Sequence, residues 1–307
     1  MRIEGQRRSD NFEDRGAGRG GGGGGGVPIQ ALLSVLSLLG FKGTLIAGAV
    51  LVIGFVVLPA GLKQELLAAL TGGGQVALSG PGAGASVCEA SQANAAACDF
   101  SRVVLASTED VWKPIFERGA LPNYGSPAGV YRDPTLVVFA NGVSTGGCGE
   151  ATSDVGPFYC PADQNLYIDP SFYEVMERRL RAPGDFAQAY VIAHEVGHHV
   201  QNIIGANRLK ASGETSNQNS VRLELQADCL AGVWGHTARA SLEITEADLG
   251  EALTAAHAIG DDTLGHSDER KFTHGSSEQR MRWFRRGFDS GDARQCDTFA
   301  VQSSRAL

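Results

Sequence analysis

The stretch DFAQAYVIAHEVGHHVQNIIG, residues 185 to 205, decides the fold because it joins a helical pattern to side chains that bind metals. Its apolar residues recur at intervals of three and four, which is the spacing of one buried helix face. Asp185 can cap the start of such a helix, and Gln188 can complete a capping box. Gly205 is a typical residue at which a helix ends. The stretch therefore predicts a helix that begins near Asp185 and ends before Gly205.

HEVGH, within this helix, carries the expected chemistry. His194 and His198 lie four residues apart, so both imidazoles project from one face and can reach a single zinc ion. Glu195 is rotated by about 100° from His194, which places its carboxylate beside the metal. A carboxylate there can take a proton from a metal-activated water and deliver it to a leaving amine. His199 points elsewhere on the helix, and we expect it to pack or hydrogen-bond inside the protein.

Zinc in a catalytic site needs a third protein ligand and one open position. The metzincin pattern would supply a histidine at position 204, after a glycine at position 201. The chain has Gln201 and Ile204 there, so that class is rejected. The third ligand must therefore come from another segment.

A second helical pattern, residues 220 to 234, offers a carboxylate for this role. Glu224 and Asp228 lie four residues apart and therefore share a helix face. We expect Glu224 to bind the metal. Asp228 is expected to accept the free N–H of a ligating histidine and so fix its tautomer. Glu214 and His236 are the alternative ligands.

The N-terminal part of the chain contains an uncharged apolar segment, residues 44–62. As a helix it would span about 28 Å, close to the ~30 Å hydrocarbon core of a bilayer. Most basic residues near the segment precede it, so the positive-inside rule predicts a single pass with a cytoplasmic N-terminus. The expected order is a cytoplasmic glycine-rich tail (1–26), a membrane segment (27–62), a flexible linker (63–86) and an external domain (87–302).

All six cysteines lie on the proposed outer side, where disulfides persist. Six cysteines allow 15 pairings, and sequence alone does not choose among them. The pairings we favour close two short loops and tie the metal region to the C-terminus: Cys88–Cys98, Cys148–Cys160 and Cys229–Cys296.

The rest of the chain predicts an α+β fold. Residues 135–140 and 165–169 are short, β-branched or aromatic stretches that favour strands. Residues 246–259 and 276–288 have helical patterns. By analogy with β-strand addition, residues 166–169 are the candidate edge strand for pairing with an extended substrate. The alternative is that they form a plain core strand.

Several longer stretches resemble the family called putative neutral zinc metallopeptidases, a group of bacterial membrane-anchored zincins. The matching pieces are MRIEGQRRSDNFEDR, VGPFYCPADQNLYIDPSF, AHEVGHHVQ, RLELQADCLAGVW, FTHGSSEQRMRWFRRGFDSGD and the terminal QCDTF. The resemblance implies a zincin-like domain on the periplasmic side of the bacterial inner (cytoplasmic) membrane, held by one N-terminal helix.

More distantly, the chain is similar to zincins that use a glutamate as third ligand. This similarity implies the metal ligands and the base already named from the spacing. By the same similarity, His274 would donate a hydrogen bond to the oxyanion, and Arg280 would organise the site.

The chain is acidic, with a formal net charge of −8, and has no basic surplus for nucleic acid. The HEVGH helix, the carboxylate at Glu224 and the family resemblance together predict a Zn²⁺-dependent endopeptidase that acts on extended polypeptide segments. One alternative is a zinc-binding, membrane-tethered module that binds proteins without cleaving them. Another is a zinc hydrolase that acts on non-peptide amides of the cell envelope.

Overall fold

The computed structural model describes residues 1–18, 85–125 and 129–307. These residues form a mixed α+β fold with two small sheets and six helices, so the predicted fold class is confirmed at that level. None of the helices in these three ranges combines the length and the apolar character that a membrane crossing needs. The predicted membrane segment, residues 27–62 with its core span 44–62, lies outside the described residues.

Six strands lie in the described part of the chain: β1 (Phe12–Ala17), β2 (Thr135–Ala140), β3 (Gly142–Ser144), β4 (Glu150–Thr152), β5 (Phe158–Cys160) and β6 (Asn165–Ile168). The larger sheet has the order β1-β2-β6-β5. β1, β2 and β6 are parallel, whereas β5 is antiparallel to β6. β3 and β4 pair as an antiparallel hairpin. Both strands predicted from the sequence are therefore confirmed as β2 and β6.

β2 is buried on both faces. Its side chains alternate between two apolar clusters, because successive residues of a strand point to opposite faces. Leu136 and Val138 join the main core, whereas Val137 and Phe139 join a smaller cluster with Tyr167 of β6. The sheet is thus fixed from both sides.

The predicted substrate strand, residues 166–169, is wrong. β6 pairs with β2 on one side and with β5 on the other, so its backbone groups are already engaged. A strand paired on both edges cannot accept an additional peptide strand. The strand at the edge of the sheet is β5.

Six helices complete the described fold: α1 (Gln92–Glu117), α2 (Phe172–Arg178), α3 (Asp185–Ile204), α4 (Ser216–Ala238), α5 (Glu246–Ala258) and α6 (Ser277–Ser290). α3 contains the HEVGH motif and ends, as predicted, at Gly205 in the left-handed conformation. The predicted cap by Asp185 is wrong, because this residue makes no capping bond and is already inside the helix. The Glu251 carboxylate of α5 instead accepts the N–H of Phe186 at 3.0 Å.

α4 and α6 touch through their backbones. A Cβ added to Gly232 of α4 would lie 2.1 Å from the carbonyl O of Phe284 in α6. A Cβ added to Gly287 of α6 would lie 1.9 Å from the carbonyl O of Cys229 in α4. Only glycine permits such an approach. The contact holds Arg280 of α6 against the metal-binding part of α4.

Residues 1–18 are part of the folded body. β1 pairs with β2 in parallel, and the Ala17 N–H donates to the carbonyl O of Ala85 at 3.1 Å. Buried Glu109 of α1 accepts hydrogen bonds from Ser9 and Asn11 at 2.5 and 2.9 Å. The description of residues 1–26 as a separate tail is therefore wrong for residues 1–18.

The three favoured disulfides, Cys88–Cys98, Cys148–Cys160 and Cys229–Cys296, are all present. The last one follows Asp228 directly and ties α4 to the C-terminal segment. Cys160 ends β5, so the second disulfide anchors the edge strand.

Candidate metal centre

α3 and α4 approach closely where the two histidines face Glu224. A Cβ added to Gly197 would lie 3.0 Å from both Cα and the carbonyl O of Ala227. The glycine of HEVGH therefore sets the distance between the two helices. Their separation in turn sets the distance between the histidines and the carboxylate.

His194, His198 and Glu224 form a group whose donor atoms all lie within 4.8 Å of one another. Glu224 faces both rings, with Oε2 3.2 Å from His194 Nε2 and Oε1 3.5 Å from His198 Nε2. Zinc bonds of about 2.0–2.1 Å at tetrahedral angles put neighbouring donor atoms about 3.3 Å apart. The group thus has the size of a zinc site with two imidazoles and one carboxylate.

The two alternative ligands lie elsewhere. Glu214 makes an ion pair with Arg222 at 2.7 Å. His236 Nδ1 hydrogen-bonds to the carbonyl O of Phe288 at 2.7 Å. Neither belongs to the metal-binding group that the described residues form.

Asp228 orients His194. Its Oδ1 lies 2.8 Å from His194 Nδ1 and accepts from the Tyr190 hydroxyl at 2.5 Å. Arg280 donates to both carboxylate oxygens at 2.9 Å. The carboxylate therefore holds the ring with Nε2 turned towards Glu224. Tyr190, one helical turn before His194, completes this network, and the sequence analysis missed it.

Gln201 orients the imidazole ring of His198. Its Oε1 lies 2.9 Å from His198 Nδ1, and its amide donates to the carbonyl O of Leu223 at 2.6 Å. Both rings thus have a fixed Nδ1 partner and an Nε2 that faces Glu224. The spacing could have revealed this role, because Gln201 lies three residues after His198 and hence on its side of α3.

The charges of the site favour the binding of a cation. Glu195, Glu224 and Asp228 supply three carboxylates, whereas Arg280, which pairs with Asp228, is the one guanidinium that acts on all three in the described structure. Burial lowers the pKa of His194, but the nearby Asp228 and Glu224 outweigh this effect and raise it to about 10. Without a metal, a proton is therefore held between His194 and the carboxylates. A divalent ion would neutralise the same charge, and its binding must displace that proton.

Glu195 is buried beside this group, with only 9% of its surface exposed. Burial raises the pKa of its carboxyl group, although the two histidines act in the opposite direction. A carboxylate whose pKa lies closer to neutrality is a better proton acceptor and donor in catalysis near pH 7. The position and the pKa of Glu195 fit the predicted role of base.

An open cleft of about 760 Å³ leads to these residues, and it is lined by Glu195, both histidines, α2 and the edge strand β5. His274 also lines the cleft. Its side chain is half exposed, and its Nδ1 lies 3.4 Å from the buried Asp261 carboxylate. The oxyanion role of His274 stays a prediction.

Comparisons with known proteins assign the chain to a family. Residues 1–299 match the family described as putative neutral zinc metallopeptidase. The chain is 44% identical over 310 residues to the uncharacterized protein YpfJ of Escherichia coli K12, covering 97% of this chain and 99% of that protein. It is 40% identical over 212 residues to the uncharacterized protein Rv2575 of Mycobacterium tuberculosis H37Rv, covering 64% of this chain and 68% of that protein. No solved structure matches the chain. Because the match spans almost its whole length, this chain belongs to the putative neutral zinc metallopeptidase family.

Proposed function

We propose that the protein is a zinc-dependent endopeptidase that cleaves extended polypeptide segments. The observation that carries the proposal is the joint position of three groups in one cleft. Two imidazoles and a carboxylate form a zinc-sized group, a buried glutamate lies beside it, and the edge strand of a sheet borders the opening.

His194, His198 and Glu224 would hold the metal. When bound, zinc supplies a Lewis acid that lowers the pKa of water towards ~7 and polarises the scissile carbonyl. Glu195 accepts a proton from the attacking water and transfers it to the nitrogen of the leaving amine. Asp228 and Gln201 hold the two rings so that Nε2 stays available.

The substrate would bind along β5, whose outer edge is free in the described structure. An extended peptide can add to such an edge through main-chain hydrogen bonds. Pro157 and Pro161 flank the three residues of β5, and proline cannot donate a backbone hydrogen bond. Pairing is thereby limited to a short stretch of substrate close to Glu195.

The decisive experiment compares terminal peptides of envelope proteins, by mass spectrometry, in cells with the native protein or the Glu195→Gln variant. We expect the Glu195→Gln variant to keep one zinc per chain. The peptide termini that the native protein generates should be absent in cells with this variant. Glu278→Gln is the matched control, since it makes the same change at a glutamate whose side chain is 85% exposed. Identical termini from the native protein and Glu195→Gln would contradict the proposal.

We also propose that residues 1–18 and the catalytic body occupy one compartment, because β1 and β2 pair. Any membrane crossing between residues 18 and 85 must then occur an even number of times. Cysteines introduced at exposed Glu4 and Glu278 can be tested in spheroplasts with a membrane-impermeant maleimide. We expect both positions to be labelled or both to be protected. Labelling of only one would refute the shared compartment.

A further inference from the structure

The third histidine of the HEVGHH stretch, His199, has no part in the metal-binding group. His199 is fully buried, and its Nε2 lies 2.7 Å from the carbonyl O of Arg132. A carbonyl oxygen can only accept, so Nε2 carries the hydrogen and donates it. In the neutral ring Nδ1 is then an acceptor.

This acceptor is used by the edge strand. Tyr159, the middle residue of β5, has its hydroxyl 3.1 Å from His199 Nδ1. The same hydroxyl lies 3.1 Å from Asn202 Nδ2, which donates to it. The hydroxyl therefore donates to His199 and accepts from Asn202, and each hydrogen bond in this chain has one possible direction.

Tyr159 thus joins the edge strand to the helix that carries the metal ligands. Its neighbour Phe158 stacks on Tyr167 on the opposite face of the sheet, with ring centroids 4.9 Å apart, so only Tyr159 points from β5 towards α3. His198 and His199 are consecutive, so the same turn of α3 carries a proposed metal ligand and the residue that contacts β5. A shift of β5 relative to α3 would move a bound peptide relative to Glu195.

We propose that His199 and Asn202 are positioning residues that hold β5, through the Tyr159 hydroxyl, at the distance from the metal that a bound peptide backbone requires. This inference rests on the proposed peptidase function. It adds that binding of long substrates depends on two residues, His199 and Asn202, that do not line the cleft and act through Tyr159. The pairing edge of β5 is short, so an error in its position cannot be offset by further strand contacts.

The test uses the full-length protein and a peptide identified from its digest of denatured casein, together with the shortest fragment of that peptide that is still cleaved. We expect Tyr159→Phe and His199→Phe to raise KM for the long peptide by about three- to tenfold, since each removes two partly buried hydrogen bonds. KM for the short fragment, kcat and zinc content should stay within about twofold of native. In the double variant the two effects should not add, because both changes break the same connection.

Two further variants serve as controls. His199→Gln offers a donor and an acceptor in place of the ring nitrogens, and we expect it to restore most of the affinity for the long peptide. Tyr131 also packs against the His199 ring, at a centroid distance of 5.6 Å. Its buried hydroxyl has no hydrogen-bond partner among the described residues, so Tyr131→Phe should leave both KM values unchanged.

The outcomes separate the two proposals. If the native protein with bound zinc cleaves no peptide of casein, the peptidase function fails. If it cleaves the long peptide, and KM for that peptide stays native in both phenylalanine variants, only the positioning role fails. A parallel rise in KM for long and short peptides, or additive effects in the double variant, would also overturn the positioning role.

Discussion

Replacing Gly197 with alanine tests whether contact between α3 and α4 sets the geometry of the metal site. The added Cβ would lie 3.0 Å from Cα and O of Ala227, whereas carbon atoms in ordinary contact are about 3.5–4.0 Å apart. Backbone atoms of a helix cannot rotate away, so α4 must move by roughly 0.5 Å at this point. Zinc ligand distances tolerate only about 0.2 Å. We therefore expect Glu224 to be displaced and zinc affinity to fall by about tenfold or more.

The stability of the metal-free protein should change much less. Overpacking costs about 1–3 kcal/mol, and alanine is better than glycine inside a helix by about 1 kcal/mol, so the net loss is about 0–2 kcal/mol. Gly250→Ala is the matched control, since Gly250 lies in α5 and an added Cβ would meet no atom within 4 Å. Competition with a zinc-binding fluorophore measures affinity, and urea unfolding measures stability. The reasoning is refuted if Gly197→Ala binds zinc like the native protein and gains stability like Gly250→Ala.

Three other predictions follow from the same network and its surroundings. Asp228→Asn leaves the buried Arg280 guanidinium without its closest anion. We expect the free energy of unfolding to fall by about 3–5 kcal/mol and zinc affinity to fall by about 10- to 100-fold. Unchanged zinc affinity in competition titrations would argue against a role of Asp228 in orienting His194. Gln201→Leu removes the acceptor of His198 Nδ1, so zinc affinity should fall by about tenfold in the same titration. A larger loss of affinity than that caused by Asp228→Asn would mean that Gln201, not Asp228, is the more important partner of the histidines. Burial lowers the pKa of His199 from 6.5 to about 4. Between these two pH values the unfolded chain therefore binds a proton at this residue, whereas the folded protein does not. The free energy of unfolding should therefore fall by about 2 kcal/mol between pH 7 and pH 5 through this residue; His199→Gln should reduce the pH dependence of urea unfolding by that amount, and an unchanged dependence would contradict it.

The sequence predicted those parts of the site that local spacing determines. The HEVGH motif and the pair Glu224 and Asp228 follow from helical periodicity, and the structure brings all of these side chains together. β2 and β6 were predicted because their β-branched and aromatic residues form continuous apolar stretches. In each case the signal lies within about 20 residues of chain.

Sheet order could not be predicted in the same way. β5 has three residues, which is too short for a period-two pattern, and its edge position depends on partners elsewhere in the chain. The choice of residues 166–169 as substrate strand failed for this reason. Tyr190 was missed because its partner Asp228 lies on α4, so its role becomes recognisable only when α3 and α4 lie side by side. Gln201 lies on the same helix as His198, so its role was within reach of the spacing.

The N-terminal arginines show how one pattern can have two physical causes. Basic residues before an apolar segment indicated a cytoplasmic N-terminus. In the structure Arg2, Arg7 and Arg8 make ion pairs with Glu243, Glu109 and Asp99 of the body, at 2.5, 2.8 and 2.7 Å. The arginine side chains of these pairs are partly exposed to solvent, and exposed ion pairs contribute little to stability, so they do not hold the segment alone. Residues 1–18 stay in place because β1 adds a strand to the sheet and because buried Glu109 accepts hydrogen bonds from Ser9 and Asn11. The fold thereby accounts for three of the basic residues on which the positive-inside prediction rested, and the orientation of the N-terminus stays a prediction.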